Sequence, residues 1–208
     1  AMGRYGGREC SYASDADVIA LHEAVGGATE AEAAASATTI VNRVKNLLGS
    51  ATNQLGIVVD LDLRPEGKNG PMSRTIESHR EYAQRWASTW ERQAAVRARP
   101  IGEGSLADSA RALFDELAYG GVSESDVRDI RLLKARMENE RLPRGIEPAR
   151  HVKLGPGGLT DVEWTIQLIQ MRAGMNNPAL RTPSTTQAIL SAREHELISA
   201  QDAQTLLD

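Results

Sequence analysis

Apolar and polar positions recur along this chain with two different periods, and the change between them divides it. From Asp15 to His22, Ala16, Val18 and Ala20 share one face while Ile19 and Leu21 continue the apolar character, which predicts a short buried strand with acids at its start. Between Thr29 and Leu48, Ile40, Val41, Val44, Leu47 and Leu48 fall at helical spacing and Gly49 follows as a stop, so a helix is expected. The segment LGIVVDLDLRP alternates again, with Ile57, Val59, Leu61 and Leu63 on one face and Val58, Asp60 and Asp62 on the other. It predicts a second strand, PEGKNGP a turn, and MSRTIES a returning hairpin partner.

Beyond Ser78 the pattern becomes helical, and helix starts are marked by a hydroxyl followed three residues later by an acid or amide. Ser78 with Glu81, Ser105 with Asp108, Ser123 with Asp126, Thr160 with Glu163 and Ser184 with Gln187 all fit. Tyr82, Trp86 and Trp90 lie four apart, which predicts an aromatic stripe packed against the strands. The reading is an α+β fold: a unit over residues 1–100 with a small mixed sheet and helices, then a helical unit over 101–208, joined at RARPIGEGS.

Composition narrows the function classes. With 41% hydrophobic residues in 208, real cores are expected and disorder is not, and an aromatic share of 4% leans helical. A net charge of -4 argues against a nucleic-acid binder, whose footprint is a basic face. The single cysteine, Cys10, cannot form an internal bridge, and no long apolar span or leader is visible, so a reducing cytoplasm fits and a membrane does not. The abrupt start near Gly3 reads as a piece of something longer.

Asp15 and Asp17 are the first candidate chemistry. Side chains at i and i+2 of a strand point the same way, so two carboxylates there can share a divalent ion, and Asp60 or Asp62 can supply a third. Gly3, Gly6 and Gly7 would let backbone N–H groups approach a phosphate. A D-x-D pair alone is ordinary turn chemistry; the glycine-rich turn, S-D-x-D and an acid-bearing second strand together are harder to explain as packing. His22, His79, His151 and His195 lack metal-ligand spacing. Arg97 and Arg99 read as a solvated helix end or as steering for an acidic partner.

These motifs match a known pattern. GRYGGRECSYASDADV resembles the G-[KR]-x-G-G-x-E-x-x-x-x-S-D-x-D signature of the nucleotidyltransferase superfamily, in the version found in glutamine synthetase adenylyltransferases. VDLDLRPEGKNGP, WASTWERQAAVRAR and KLGPGGLTDVEW are similar to three further motifs of that family, in family order. The form of GGRECSYASD, with LRPEGKNGP and ERLPRG, resembles the carboxy-terminal, adenylylating half of actinobacterial members rather than the adenylyl-removing half. Cys10 and Ser11 depart from the usual leucine and glycine.

The resemblance implies a DNA polymerase β-like core with a helical extension, and transfer of AMP from ATP to a tyrosine of glutamine synthetase. Asp15, Asp17 and Asp60 would be the catalytic metal ligands for two Mg²⁺ ions, with Asp62 at a variable position. Gly3, Arg4, Gly6 and Gly7 would contact the triphosphate, Ser14 would set the turn, and Arg64 would bind nucleotide or else pair Glu66 or an active-site acid. A PII signal protein and glutamine are the implied regulators. The family also has a strand ahead of Gly3 and helices beyond Asp208, so the piece is expected to lack one core strand. For KLGPGGLT, an entry turn capped by Thr160 stands against Lys153 reaching toward nucleotide. The alternatives are the adenylyl-removing half, a uridylyltransferase acting on a PII protein, and a non-catalytic nucleotide sensor.

Overall fold

Two strands separated by a helix can pair side by side in the same direction, because a parallel pair needs a long crossover connection. The computed structural model describes residues 1–12, 14–49, 56–142 and 145–208. It begins with α1 (Gly3–Gly7), β1 (Ala16–Asp17), β2 (Ala20–Leu21), α2 (Glu30–Gly49), β3 (Val59–Asp60) and β4 (Ser73–Arg74). Helix α2 is the crossover: β1 pairs in parallel with β3 and β2 in parallel with β4. The single strand expected from Asp15 to His22 is thus two short ones, because the chain changes partners within it. Val18 N–H donates to the Asp60 carbonyl, whereas His22 N–H donates to that of Arg74.

The expected hairpin is corrected by the same pairing. MSRTIES does not return antiparallel to β3; a turn chain through Leu61, Arg64 and Gly67, ending in a 3-10 turn at Gly67–Asn69, carries Ser73 to β2 instead. Among the described residues there are two two-stranded sheets, both parallel, rather than one mixed sheet. Leu55 of the predicted strand, Ala13 of the acidic turn and Pro143 and Arg144 of ERLPRG lie outside the described residues.

Helices α3 (Ile76–Trp86), α4 (Thr89–Ala95), α5 (Ser105–Tyr119), α6 (Glu124–Glu140), α7 (Leu159–Ala173), α8 (Thr185–Glu194) and α9 (Ala200–Leu207) follow. Two compact units, Ala1–Leu117 and Ala118–Asp208, divide within α5 rather than at the Pro/Gly segment near residue 100. The Ser184 and Ser123 caps form as the sequence predicts. Others move. Helix α3 starts earlier, with the Thr75 hydroxyl accepting from Ser78 N–H, and α7 is entered through Gly158 while the Thr160 hydroxyl donates to the Lys153 carbonyl. Asp161 accepts from Gly157 N–H and pairs with Lys134.

The aromatic stripe does not form. Ser88 closes a capping box with Glu91, breaking the helix between Trp86 and Trp90. Trp86 is 73% exposed, and Tyr82 donates its hydroxyl hydrogen to Glu91. The first unit instead buries Met2, Val59, Leu61, Val96, Leu113 and Phe114, and the second builds its core on Ile166, Leu180, Ile189 and their alanine neighbours.

Two stability predictions arise here. Ser123 accepts from Asp126 N–H at 3.2 Å and its own N–H donates to the Asp126 carboxylate at 2.8 Å. Ser123→Ala removes one of these partners and lowers stability by about 1 kcal/mol, read as a shift in urea midpoint with unchanged slope.

His79 is buried, its ring edge-on to Phe114 at 5.5 Å between centroids. Burial, and secondarily the nearby Arg74 charge, lower its pKa from 6.5 to about 4. The unfolded chain therefore takes up a proton between those values while the folded one does not. Stability falls as pH drops from about 6.5 toward 4, by about 3 kcal/mol in all, and levels below. Urea titrations from pH 4 to 7 should show this slope in the native sequence and lose that component in His79→Gln.

Candidate active site

Register brings the acids together. Ala16 faces Val59 and Asp17 faces Asp60 across the β1–β3 pair, fixed by Ala16 N–H to the Val58 carbonyl at 2.7 Å and Val18 N–H to the Asp60 carbonyl at 2.8 Å. Asp15, two positions before Asp17, lies toward the same side. One carboxylate oxygen from each of Asp15, Asp17 and Asp60 comes within 4.8 Å of the others; Asp15 is exposed and the other two half-buried. Three like charges this close repel, at roughly 1 kcal/mol per pair in a water-like dielectric. A hard divalent cation relieves that repulsion, and an all-carboxylate donor set suits Mg²⁺, Mn²⁺ or Ca²⁺ better than zinc or copper.

Of the two acids open for the third position, Asp60 is the one that comes together with Asp15 and Asp17. Asp62 points its carboxylate to Lys68 at 3.4 Å and Arg64 at 3.7 Å, and its N–H donates to Asp60 Oδ1 at 2.6 Å. Arg64 is buried and donates to the carbonyls of Leu61 at 2.8 Å, Gly70 at 3.3 Å and Lys68 at 3.3 Å. It staples the turn after β3, and Glu66 pairs with Arg74 instead.

Helix α1 lies directly against the acids. Met2 N–H donates to the Asp17 carbonyl at 2.8 Å. Gly3 has φ +52°, and a Cβ there would sit 2.5 Å from Asp17 Oδ2, so no larger residue fits without moving the carboxylate. Gly6 and Gly7 are buried. A Cβ on Gly6 would overlap the Arg97 carbonyl oxygen, and its N–H already donates to the Met2 carbonyl at 2.7 Å. Gly6 thus serves close packing of backbone, and Gly3, Arg4 and Tyr5 of α1 are half-buried. Ser14 closes the preceding turn, accepting from Ser11 N–H at 2.9 Å. Lys153 is exposed in the second unit, where its carbonyl receives Thr160.

The arginines after α4 are the largest departure from the sequence reading. Arg97 is 5% exposed, not a solvated helix end. It pairs with Glu9 at 2.6 Å and donates from Nε to the Gly3 carbonyl at 3.0 Å. Arg99 donates to the carbonyls of Gly6 at 2.9 Å and Tyr5 at 3.0 Å, and its backbone N–H reaches the Ala1 carbonyl at 2.9 Å.

Comparison with known proteins places the chain in a family. The family model described as glutamate-ammonia ligase adenylyltransferase matches residues 1–113, and one described as GlnD PII-uridylyltransferase matches residues 131–208. The chain is 47% identical to a bifunctional glutamine synthetase adenylyltransferase/adenylyl-removing enzyme of Streptomyces coelicolor, over 99% of this chain and 21% of that protein. It is 48% identical to the protein of the same name from Bifidobacterium longum subsp. infantis, over 98% of this chain and 19% of the relative. With that from Nocardia farcinica the identity is 42%, over 100% of this chain and 21% of the relative. The chain thus spans about a fifth of the length of the curated relatives it matches. Among the described residues no helix is long and apolar enough to cross a membrane.

Proposed function

Because the chain belongs to the glutamate-ammonia ligase adenylyltransferase family, we propose that it is a nucleotidyl-transfer part of such an enzyme, moving AMP from ATP to a tyrosine of glutamine synthetase. The observation that carries this is the meeting of Asp15, Asp17 and Asp60 on paired strands, inside the stretch matched by the family model. The tyrosine oxygen attacks the α-phosphorus in line, a P–O bond forms to the tyrosine, and the bond to the β-phosphate oxygen breaks, releasing pyrophosphate. Asp15, Asp17 and Asp60 hold divalent cation, Mg²⁺ as two ions in this reading. When bound, the ions offset charge developing on the attacking and leaving oxygens.

The chain's own groups do the rest. Asp60, at the end of the short β3, accepts the tyrosine proton. Gly3 and Arg4 contact the triphosphate, Gly6 and Gly7 let α1 close on its support, Ser14 sets the turn into β1, and Arg64 holds the turn beyond β3 in shape for nucleotide. We place the reaction in the cytoplasm, on the adenylylating side of the bifunctional enzyme, with glutamine and a PII signal protein as regulators of the whole.

The test is transfer of label from α-labelled ATP to purified glutamine synthetase with Mg²⁺, in this chain and in Asp15→Asn and Asp60→Asn. Label that depends on both acids supports the proposal; equal label in the variants refutes it. A second reading rests on the uridylyltransferase match over residues 131–208. It requires label from α-labelled UTP on a PII protein, and preference for UTP over ATP would decide for it.

A further inference from the structure

We propose that Arg97 and Arg99 are positioning residues that set the distance between the glycine-rich helix α1 and the acids, and so the register of a bound nucleoside triphosphate. This deepens the adenylyl-transfer reading and rests on it.

A site that holds cation on carboxylates and phosphate on a glycine-rich backbone works only if the two halves keep a fixed separation. The carboxylates are placed by the β1–β3 register. Helix α1 has five residues, too few to hold its own position, and an isolated helix this short is unstable in water. Its attachment must come from outside. At its start, Met2 N–H is tied to the Asp17 carbonyl and Gly3 packs against the Asp17 carboxylate. Further along, Gly3, Tyr5 and Gly6 are all reached by one segment, Arg97–Arg99.

Arg97 spans α1 from beginning to end, with Nε on the Gly3 carbonyl and Nη2 on Glu9, just past the helix. Arg99 holds the closing turn, where the Tyr5 and Gly6 carbonyls face outward, and its guanidinium carbon lies 5.7 Å from the Tyr5 ring centre. Between them the Arg97 carbonyl oxygen fills the space a Gly6 side chain would need. Two planar forks and one missing side chain fix α1 in height and in tilt. An exposed steering pair would do none of this.

The fork is the testable part. Lysine keeps the charge but carries its three donors on one nitrogen, so it lacks the planar fork whose separate nitrogens reach Gly3 and Glu9 from Arg97, or Gly6 and Tyr5 from Arg99. Arg97→Lys and the milder, half-buried Arg99→Lys should therefore loosen α1 without removing charge. The readouts are amide exchange by mass spectrometry, and calorimetric titration with a non-hydrolysable ATP analogue plus Mg²⁺ and with Mn²⁺ alone. Exchange over residues 3–9 should rise at least ~10-fold while amides at Leu113 and Phe114 stay protected. Affinity for the analogue should fall roughly 10-fold, because a small misplacement of positioning groups is enough for such a loss, while affinity for Mn²⁺ alone changes less than about twofold.

Native exchange and native analogue affinity in both variants would overturn the proposal. So would protection lost equally at Leu113 and Phe114, which would mark the arginines as general scaffold. Asp15→Asn serves as the separate control: if it leaves Mn²⁺ and analogue affinity unchanged, the nucleotide site itself is wrong, whatever the arginine variants show.

Discussion

Asp60→Asn is expected to lower the rate of AMP transfer at least ~10²-fold, the scale seen when one preorganised electrostatic partner of a transition state is removed, and to leave the protein as stable as before or slightly more so. Both halves follow from the geometry. Asparagine keeps the oxygen that accepts from Asp62 N–H, so the strand end retains its local bond. It removes one of three negative charges whose oxygens lie within 4.8 Å, which relieves repulsion in the metal-free fold. The same charge is what draws cation and takes the tyrosine proton, so activity falls as stability holds. Asp15→Asn and Asp17→Asn should lose activity similarly, and combining any two should cost less than the sum of the single effects, because the acids act as one unit. Label transfer and melting temperature measured on the same preparations decide the matter. A variant that keeps full transfer, or one that loses transfer only because it melts, would contradict the assignment.

The site was legible in the sequence where the chain is local and periodic. Asp15 and Asp17 are two apart on an extended segment, and the alternation around Val59 fixes which side Asp60 takes, so three acids follow from period-two reasoning and one strand pairing. The choice between Asp60 and Asp62 did not follow from the residues alone, since both sit on one face of an ideal strand. In the structure β3 ends at Asp60 and the chain turns, which hands Asp62 to Lys68 and Arg64.

What was not legible depended on partners distant in sequence. Nothing within a few residues of Arg97 indicates that Glu9 and Gly3 will reach it, 88 and 94 positions away. The parallel pairing of β4 with β2 was hidden for the same reason: a turn-rich segment between two strands suggests a hairpin until the turn is seen to carry the chain elsewhere. The aromatic stripe failed on a local competition. A four-residue spacing favours one helix, but the Ser88 and Glu91 side chains satisfy the backbone at a new helix start, and that cap won. Caps read from spacing alone held at Ser123 and Ser184, where the preceding chain is a loop, and shifted at Ser78, where Thr75 reached the backbone first.

Gly6→Ala should be the most destabilising single-atom change in the amino-terminal unit. In an ordinary helix position alanine is favoured over glycine by about 1 kcal/mol. Here the added Cβ would overlap the Arg97 carbonyl oxygen, which is backbone and cannot rotate away. Relief requires α1 to lift from the Arg97–Arg99 segment, breaking the hydrogen bonds that Arg97 and Arg99 make to Gly3, Tyr5 and Gly6. Overpacking of this kind runs to roughly 3 kcal/mol, which for a unit of this size corresponds to a melting temperature lower by about 10 °C or more. Gly49→Ala is the matched control: it ends α2 with nothing near its Cβ position among the described residues, and there alanine should be neutral or mildly stabilising. Differential scanning calorimetry of the two variants separates the cases. If Gly6→Ala melts with the native protein, α1 does not rest on Arg97 as described, and the separation between glycine turn and acids must be set some other way.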